Sequence, residues 1–138
     1  MDATQRTIGM DRKMLLSTIW IFATFNYLYC DVLSLMDSEL LKQYLTGRVN
    51  GMEFSQGFLL GAAILVEIPI AMVLLSRVLK YRVNRWANII AGTVITLVQA
   101  ASLFAGTPAM YYVFCSALEI TSTVLIVWFA WTWHDAEI

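Results

Sequence analysis

Two carboxylates sit where carboxylates are least welcome: Glu67 within "GAAILVEIPIAMVLL" and Glu119 within "FCSALEITSTVLIV". Glu67 follows Gln56 by eleven residues, and Glu119 follows Pro108 by eleven. At ~1.5 Å of rise per helical residue, each carboxyl lies about 16 Å inside its apolar stretch, close to the middle of a bilayer. An ionisable group at that depth costs about 2.5–3.5 kcal/mol on insertion scales and normally turns toward the interior of a helix bundle. Two carboxylates facing one interior repel, and burial disfavours charge, so the pair is expected to hold at least one proton at neutral pH. No Lys or Arg lies at the centre of any apolar stretch. A shared proton, a bound cation or a cationic ligand is left to neutralise the site.

Other polar side chains fall at a similar depth. Asn26 lies ten residues from Met36, and Gln99 seven residues from Gly106. Helical spacing stacks Tyr112, Cys115, Ser116, Ser122 and Thr123 around Glu119, Thr96 and Ser102 around Gln99, and Tyr29 and Cys30 around Asn26. Pro69 has no N–H to offer the Leu65 carbonyl, so a helix kink with a free carbonyl beside Glu67 is expected, a station for a proton or cation. Carboxamides in membrane helices also serve as interhelical hydrogen-bond glue worth ~0.6 kcal/mol. That role weighs more for Asn26 and Gln99, yet with Ser116, Thr123 and Tyr112 they are expected to line the polar pocket in which the matched glutamates bind a ligand or ion. Asp31, with Tyr27 one turn earlier, would form an outer vestibule, and an ion pair from Asp31 to Lys42 or Arg48 is expected. Cys30 and Cys115 share a depth and read as small apolar fillers. The chain has no Cys-x-x-Cys, and its one histidine, His134, stands near the C-terminus. Neither a disulfide enzyme nor a zinc, copper or haem site is expected, and no cofactor is implied.

The elements that must position these groups are membrane spans. The 138 residues are 59% hydrophobic and only 14% charged, with a mean hydropathy of +0.68; a soluble domain carries about a quarter of its residues as charges. Four stretches, roughly 14–36, 56–79, 86–106 and 109–133, approach the ~20 residues that cross a bilayer. The reading is an all-α, polytopic four-helix membrane bundle forming one domain, 1–138. The first stretch is too long for a cleaved signal peptide and has three spans after it. Arg6, Arg12 and Lys13 precede span 1, and Arg77, Lys80, Arg82 and Arg85 join spans 2 and 3, so both termini are expected in the cytoplasm of a cell whose plasma membrane holds the chain. The formal net charge of −1 offers nothing to nucleic acid. Gly57 and Gly61 form a small-residue face for the bundle or a neighbouring copy.

Between spans 1 and 2, "DSELLKQYLTGRVNGMEFSQ" is the one sizeable segment outside the bilayer. Asp37 or Ser38 caps a short helix with Leu40, Leu41, Tyr44 and Leu45 on one stripe, and Gly47 ends it. Asn50-Gly51 then signals a two-residue hairpin. A structured connector is the expectation; a lid over a cavity is the alternative.

"LVEIPIAMVLL" and "ALEITSTVLIV" align on Glu-Ile, which suggests two helix hairpins related as a parallel repeat. The stretches "FNYLYCDVLSLMD", "GFLLGAAILVEIPIAMVLLSRVLKYRVNRWANI" and "YYVFCSALEITSTVLIVWFAW" resemble a family of small bacterial and archaeal four-helix membrane proteins of uncharacterised function. The resemblance covers nearly the whole chain and implies the four-span layout and no catalytic residue. In size and layout the chain is also similar to the DoxX-like membrane proteins. Small multidrug-resistance exporters share the length and span count but keep their essential glutamate in the first span, where this chain has Asn26. The leading expectation is a small, oligomeric membrane transporter or channel-like protein with a Glu67/Glu119 site for a proton or cation. The alternatives are a membrane-embedded enzyme using the two carboxyls as acid and base on a lipid or isoprenoid, and an accessory subunit of a larger membrane complex.

Overall fold

A computed structural model describes residues 11–104 and 108–134 of the chain. Five helices and one small hairpin follow in order: α1 (Arg12–Met36), α2 (Ser38–Thr46), β1 (Arg48–Val49), β2 (Met52–Glu53), α3 (Gln56–Val78), α4 (Tyr81–Leu103) and α5 (Met110–Trp131). The four long helices are each long and apolar enough to cross a bilayer. Large side chains such as Phe25, Leu60, Leu97 and Phe114 stand exposed around the bundle, as a lipid solvent requires. The chain is a multi-pass membrane protein. One end of the bundle carries α2 and the hairpin and is the loop end; the other, with the start of α1 and the finish of α5, is the terminal end.

Local chemistry sets the boundaries. Asp11 caps α1 through the Lys13 N–H, and Ser55 caps α3 through the Phe58 N–H. Asp37 caps α2 by accepting from the Glu39 and Leu40 N–H groups, and Gly47 ends that helix at φ 76°, a left-handed conformation suited to glycine. Asn50 and Gly51 both take positive φ and turn the hairpin, pairing Arg48 with Glu53 and Val49 with Met52. The loop helix and hairpin are as expected. The third span is displaced: α4 starts at Tyr81 rather than near 86, because nothing in "YRVNRW" breaks a helix and Asn84 and Asn88 turn inward. Its expected end at Gly106 lies outside the described residues.

α5 packs along both α4 and α1, α1 packs along α3, and α3 meets α4 over a shorter length. The apolar core gathers Leu16, Trp20, Met72, Ala91, Ile95, Ile126, Ala130 and Trp133, all in the terminal half. Gly92 lets α4 and α5 approach closely, since a Cβ there would lie 2.8 Å from Val127 Cγ2 and 3.3 Å from the Thr123 carbonyl oxygen. At the terminal end Arg85 donates to the Ala130 and Trp131 carbonyls, and Tyr81 donates to the Trp133 carbonyl. These donors satisfy the open carbonyls at the finish of α5. The loop half is less closed. From Gln56 to Ile68 no residue of α3 is buried, and burial begins at Pro69, then Met72 and Ser76.

Candidate functional site

The two glutamates part company. Glu119 is 1% exposed, one of the most deeply buried side chains in the chain, while Glu67 is exposed on α3. The expected facing pair is therefore corrected. Pro69, Met72 and Ser76 define the inward face of α3, and Glu67, two residues before Pro69, sits about 200° around the helix from it. The burial of Pro69 is what turns Glu67 out. α3 runs unbroken from Gln56 to Val78 through Pro69, and the carbonyl of Leu65 lacks an N–H partner four residues on.

Glu119 owes its burial to the inward face of α5, where Cys115, Ser116, Ser122, Thr123 and Ile126 lie with it. Its Oε1 is buried with no hydrogen-bond partner among the described residues, and the hydroxyl of Tyr27 on α1 shares that condition. The third such atom, Trp133 Nε1, lies beyond the finish of α5 at the terminal end. Tyr27 and Asp31 both lie within electrostatic reach of Glu119. Cys30 and Cys115 are buried free thiols. The acidic side chain within electrostatic reach of Glu119 is thus Asp31 of α1, exposed on that helix, rather than Glu67.

α4 and α5 are joined by three polar rungs, one a turn below Glu119 and two above it toward the loop end. Thr96 Oγ1 lies 2.7 Å from Thr123 Oγ1, Gln99 Nε2 donates to Ser116 Oγ at 2.7 Å, and Ser102 and Tyr112 share a hydrogen bond of 2.7 Å. Gln99, Ser116, Thr123 and Tyr112 thus each bond across the α4–α5 interface, at different heights. Asn26 does not: its Nδ2 donates to the Phe22 carbonyl of its own helix at 2.8 Å, and among the described residues it bonds to no neighbouring helix.

The ladder ends in a cavity of about 210 Å³ at the loop end, walled by Leu40 and Tyr44 of α2, Val49, Ser102, and Tyr111 and Tyr112 of α5. Residues of α2 and the hairpin stand over it. The vestibule expected of Tyr27 and Asp31 does not coincide with this cavity, which neither lines; Tyr27 is half-buried and Asp31 exposed on α1. The expected ion pair from Asp31 is also absent among the described residues, because Lys42 is held by Glu39 three residues away on the exposed face of α2. Outside the span segments, burial beneath the roof raises the pKa of the Tyr44 phenol above its usual value, with Asp31 adding to the effect.

A second buried polar layer lies at the terminal end, where the sequence reading had placed none. Asn88 Oδ1 accepts from Trp20 Nε1 at 2.8 Å and Ser76 Oγ at 3.2 Å, and Asn88 Nδ2 donates to Asn84 Oδ1 at 2.7 Å. Asn84 Nδ2 in turn donates to the Ser76 carbonyl, and Ser17 Oγ donates to the Val73 carbonyl. The Asn84-x-x-x-Asn88 spacing, which places two carboxamides on one helix face, was the available signal.

An apolar groove of about 320 Å³ runs between α4 and α5 on the lipid side, lined by Thr93, Leu97, Val124, Trp128 and Trp131 among others. Neither glutamate lines it.

No curated protein and no solved structure matches the chain, and no match supports the layout shared with DoxX-like proteins. Residues 7–138 match the model of a family of unknown function, DUF6326. With that match spanning nearly its whole length, the chain belongs to the DUF6326 family.

Proposed function

We propose that the chain is a small transporter or channel-like protein of the plasma membrane, with its loop end facing outward and Glu119 binding a proton or a monovalent cation. One observation carries this reading: a carboxyl buried at mid-height has an oxygen with no partner among the described residues, beneath a polar ladder that opens into a cavity. A carboxylate held that way is neutralised by a proton or by a cation arriving along the ladder. The outward orientation rests on the excess of Arg and Lys near the terminal end, at Arg12, Lys13, Arg77, Lys80, Arg82 and Arg85.

The acid–base enzyme loses its support, since it needs two carboxyls on one substrate and Glu67 and Glu119 occupy different faces. Glu67 fits a different role. An exposed carboxyl in the span, along the unburied half of α3, suits a face against a second copy. Photobleaching steps from singly labelled protein in vesicles check this; a single step per spot would remove it.

The test of the main reading uses the full chain in liposomes that enclose a pH-sensitive dye. An imposed potassium, sodium or proton gradient produces dye-reported flux with the wild type. Glu119→Gln abolishes that flux, whereas Glu67→Gln leaves the flux per copy in place. Wild-type flux in a well-reconstituted Glu119→Gln protein would end the proposal.

A further inference from the structure

We infer that the loop-end cavity receives a small organic ammonium ion, held on tyrosine faces one step before Glu119. This deepens the proposed function by naming a substrate class, and it relies on that function only for the destination of the ion.

The walls define the chemistry. Tyr44, Tyr111 and Tyr112 reach the cavity from two helices, and no Lys or Arg lines it. Each ring has an acidic group close by. Asp31 acts on Tyr44, Glu119 acts on Tyr112, and the Tyr111 hydroxyl donates to Asp37 Oδ2 at 3.3 Å. No Asp or Glu lines the cavity itself, but the Asp37 carboxyl bonded to Tyr111 stands next to its wall and favours positive charge there.

The same walls discriminate among cations. A metal ion is held by several hard oxygen donors, and no three His, Cys, Asp or Glu side chains come together among the described residues. Two of the three phenol oxygens are already engaged, Tyr112 with Ser102 and Tyr111 with Asp37. Beside the side chains of Ser34, Asn50 and Ser102, most of the wall is aromatic or aliphatic, and aromatic rings attract organic ammonium groups. Tyr44 is backed by Phe54 at a centroid distance of 5.8 Å, so its ring is fixed in the roof. The turn that carries this roof is tied down by the Asn50 N–H donating to Gln43 Oε1 at 2.9 Å. At about 210 Å³ the cavity is smaller than a drug-sized pocket of roughly 300–1,000 Å³, which selects an ion of few heavy atoms.

The experiment is calorimetric titration of the full chain in dodecylmaltoside, an uncharged detergent without an ammonium group. Tetramethylammonium is the probe, with potassium as the inorganic cation and tert-butanol as the neutral counterpart. The expected result is saturable tetramethylammonium binding at least about tenfold tighter than either control. Tyr44→Leu should weaken it about tenfold, while Tyr44→Phe, which keeps the ring, should stay within about twofold. Should Tyr44→Leu fail to fold, Tyr111→Leu carries the same expectation. Absence of saturable binding, equal binding of a control, or indifference to loss of the ring in a folded variant overturns the ammonium site. Failure here leaves the Glu119→Gln flux result standing, and wild-type flux in Glu119→Gln leaves a tyrosine-dependent ammonium site standing, so the two readings fail separately.

Discussion

The terminal half and the loop half of this bundle each bury a layer of polar side chains within a membrane-spanning fold, and the two layers are finished differently. At the terminal end Trp20, Ser76, Asn84 and Asn88 exchange hydrogen bonds until the carboxamides are occupied. At the loop end the rungs between α4 and α5 are made, yet Glu119 Oε1 and the Tyr27 hydroxyl have no partner among the described residues. The apolar core follows the same division, filling the terminal half and leaving the loop half with a cavity. A closed polar network in a low-dielectric interior holds helices in register, and an unfinished one is where something else is meant to bind.

Breaking the closed layer should have the largest effect. Asn88→Leu leaves Trp20 Nε1, Ser76 Oγ and Asn84 Oδ1 each short of a buried partner. At roughly 1 kcal/mol for each orphaned group, the loss of stability is about 3 kcal/mol. Equilibrium unfolding in mixed dodecylmaltoside and dodecyl sulfate micelles measures it. A loss below ~1 kcal/mol would mean that the terminal layer is not the staple described.

A smaller effect is expected where the two layers share a helix interface. Gly92→Ala places a methyl group 2.8 Å from Val127 Cγ2, and the β-branched valine has little rotamer freedom in a helix. α4 and α5 must part, at about 2 kcal/mol for overpacking. Thr96 donates toward both the Gly92 carbonyl and Thr123, so the nearest rung should break as well. The same unfolding assay reads the stability. A pair of cysteines introduced in place of Thr96 and Thr123 reads the separation: it should cross-link readily when Gly92 is kept and poorly once Gly92→Ala is added.

Much of the fold was legible because its signals are local. Apolar length marked the four spans, Asp37 and Gly47 bounded α2, and Asn50-Gly51 marked the hairpin. The start of span 3 was not legible, because Asn84 looks like loop chemistry, and only its bonds to the Ser76 and Leu79 carbonyls explain its place inside a helix. The site was legible on α4 and α5, where Gln99, Ser116, Tyr112 and Thr123 share facing stripes. It was not legible on α3. Glu67 and Glu119 have the same depth and similar flanking residues, but depth says nothing of azimuth, and in a membrane helix that is apolar all round no polar stripe shows which face turns inward. Pro69, about 200° away from Glu67, settles that, and its inward turn is a tertiary fact. The likeness of the two Glu-Ile segments therefore does not extend to their surroundings. Asn26 misleads for a related reason: a carboxamide can satisfy itself on its own helix, as it does at the Phe22 carbonyl.

The sharpest contrast between the layers is one of sign. Replacing a member of a satisfied network destabilises, because partners are orphaned. Replacing a buried carboxyl whose oxygen lacks a partner removes a desolvated polar group and orphans little. Glu119→Leu, which keeps a similar volume on the inward face of α5, should therefore stabilise the folded chain by about 1 kcal/mol in the unfolding assay while eliminating flux. Thr123 should be unaffected, since its hydroxyl donates to the Glu119 backbone carbonyl rather than to the carboxyl. A stability held below the maximum at the one place where a carboxyl meets the ladder is what a binding site requires and a packing element does not. If Glu119→Leu instead destabilised the chain as strongly as Asn88→Leu, the two layers would be of one kind, and Glu119 would be a structural residue like Asn88.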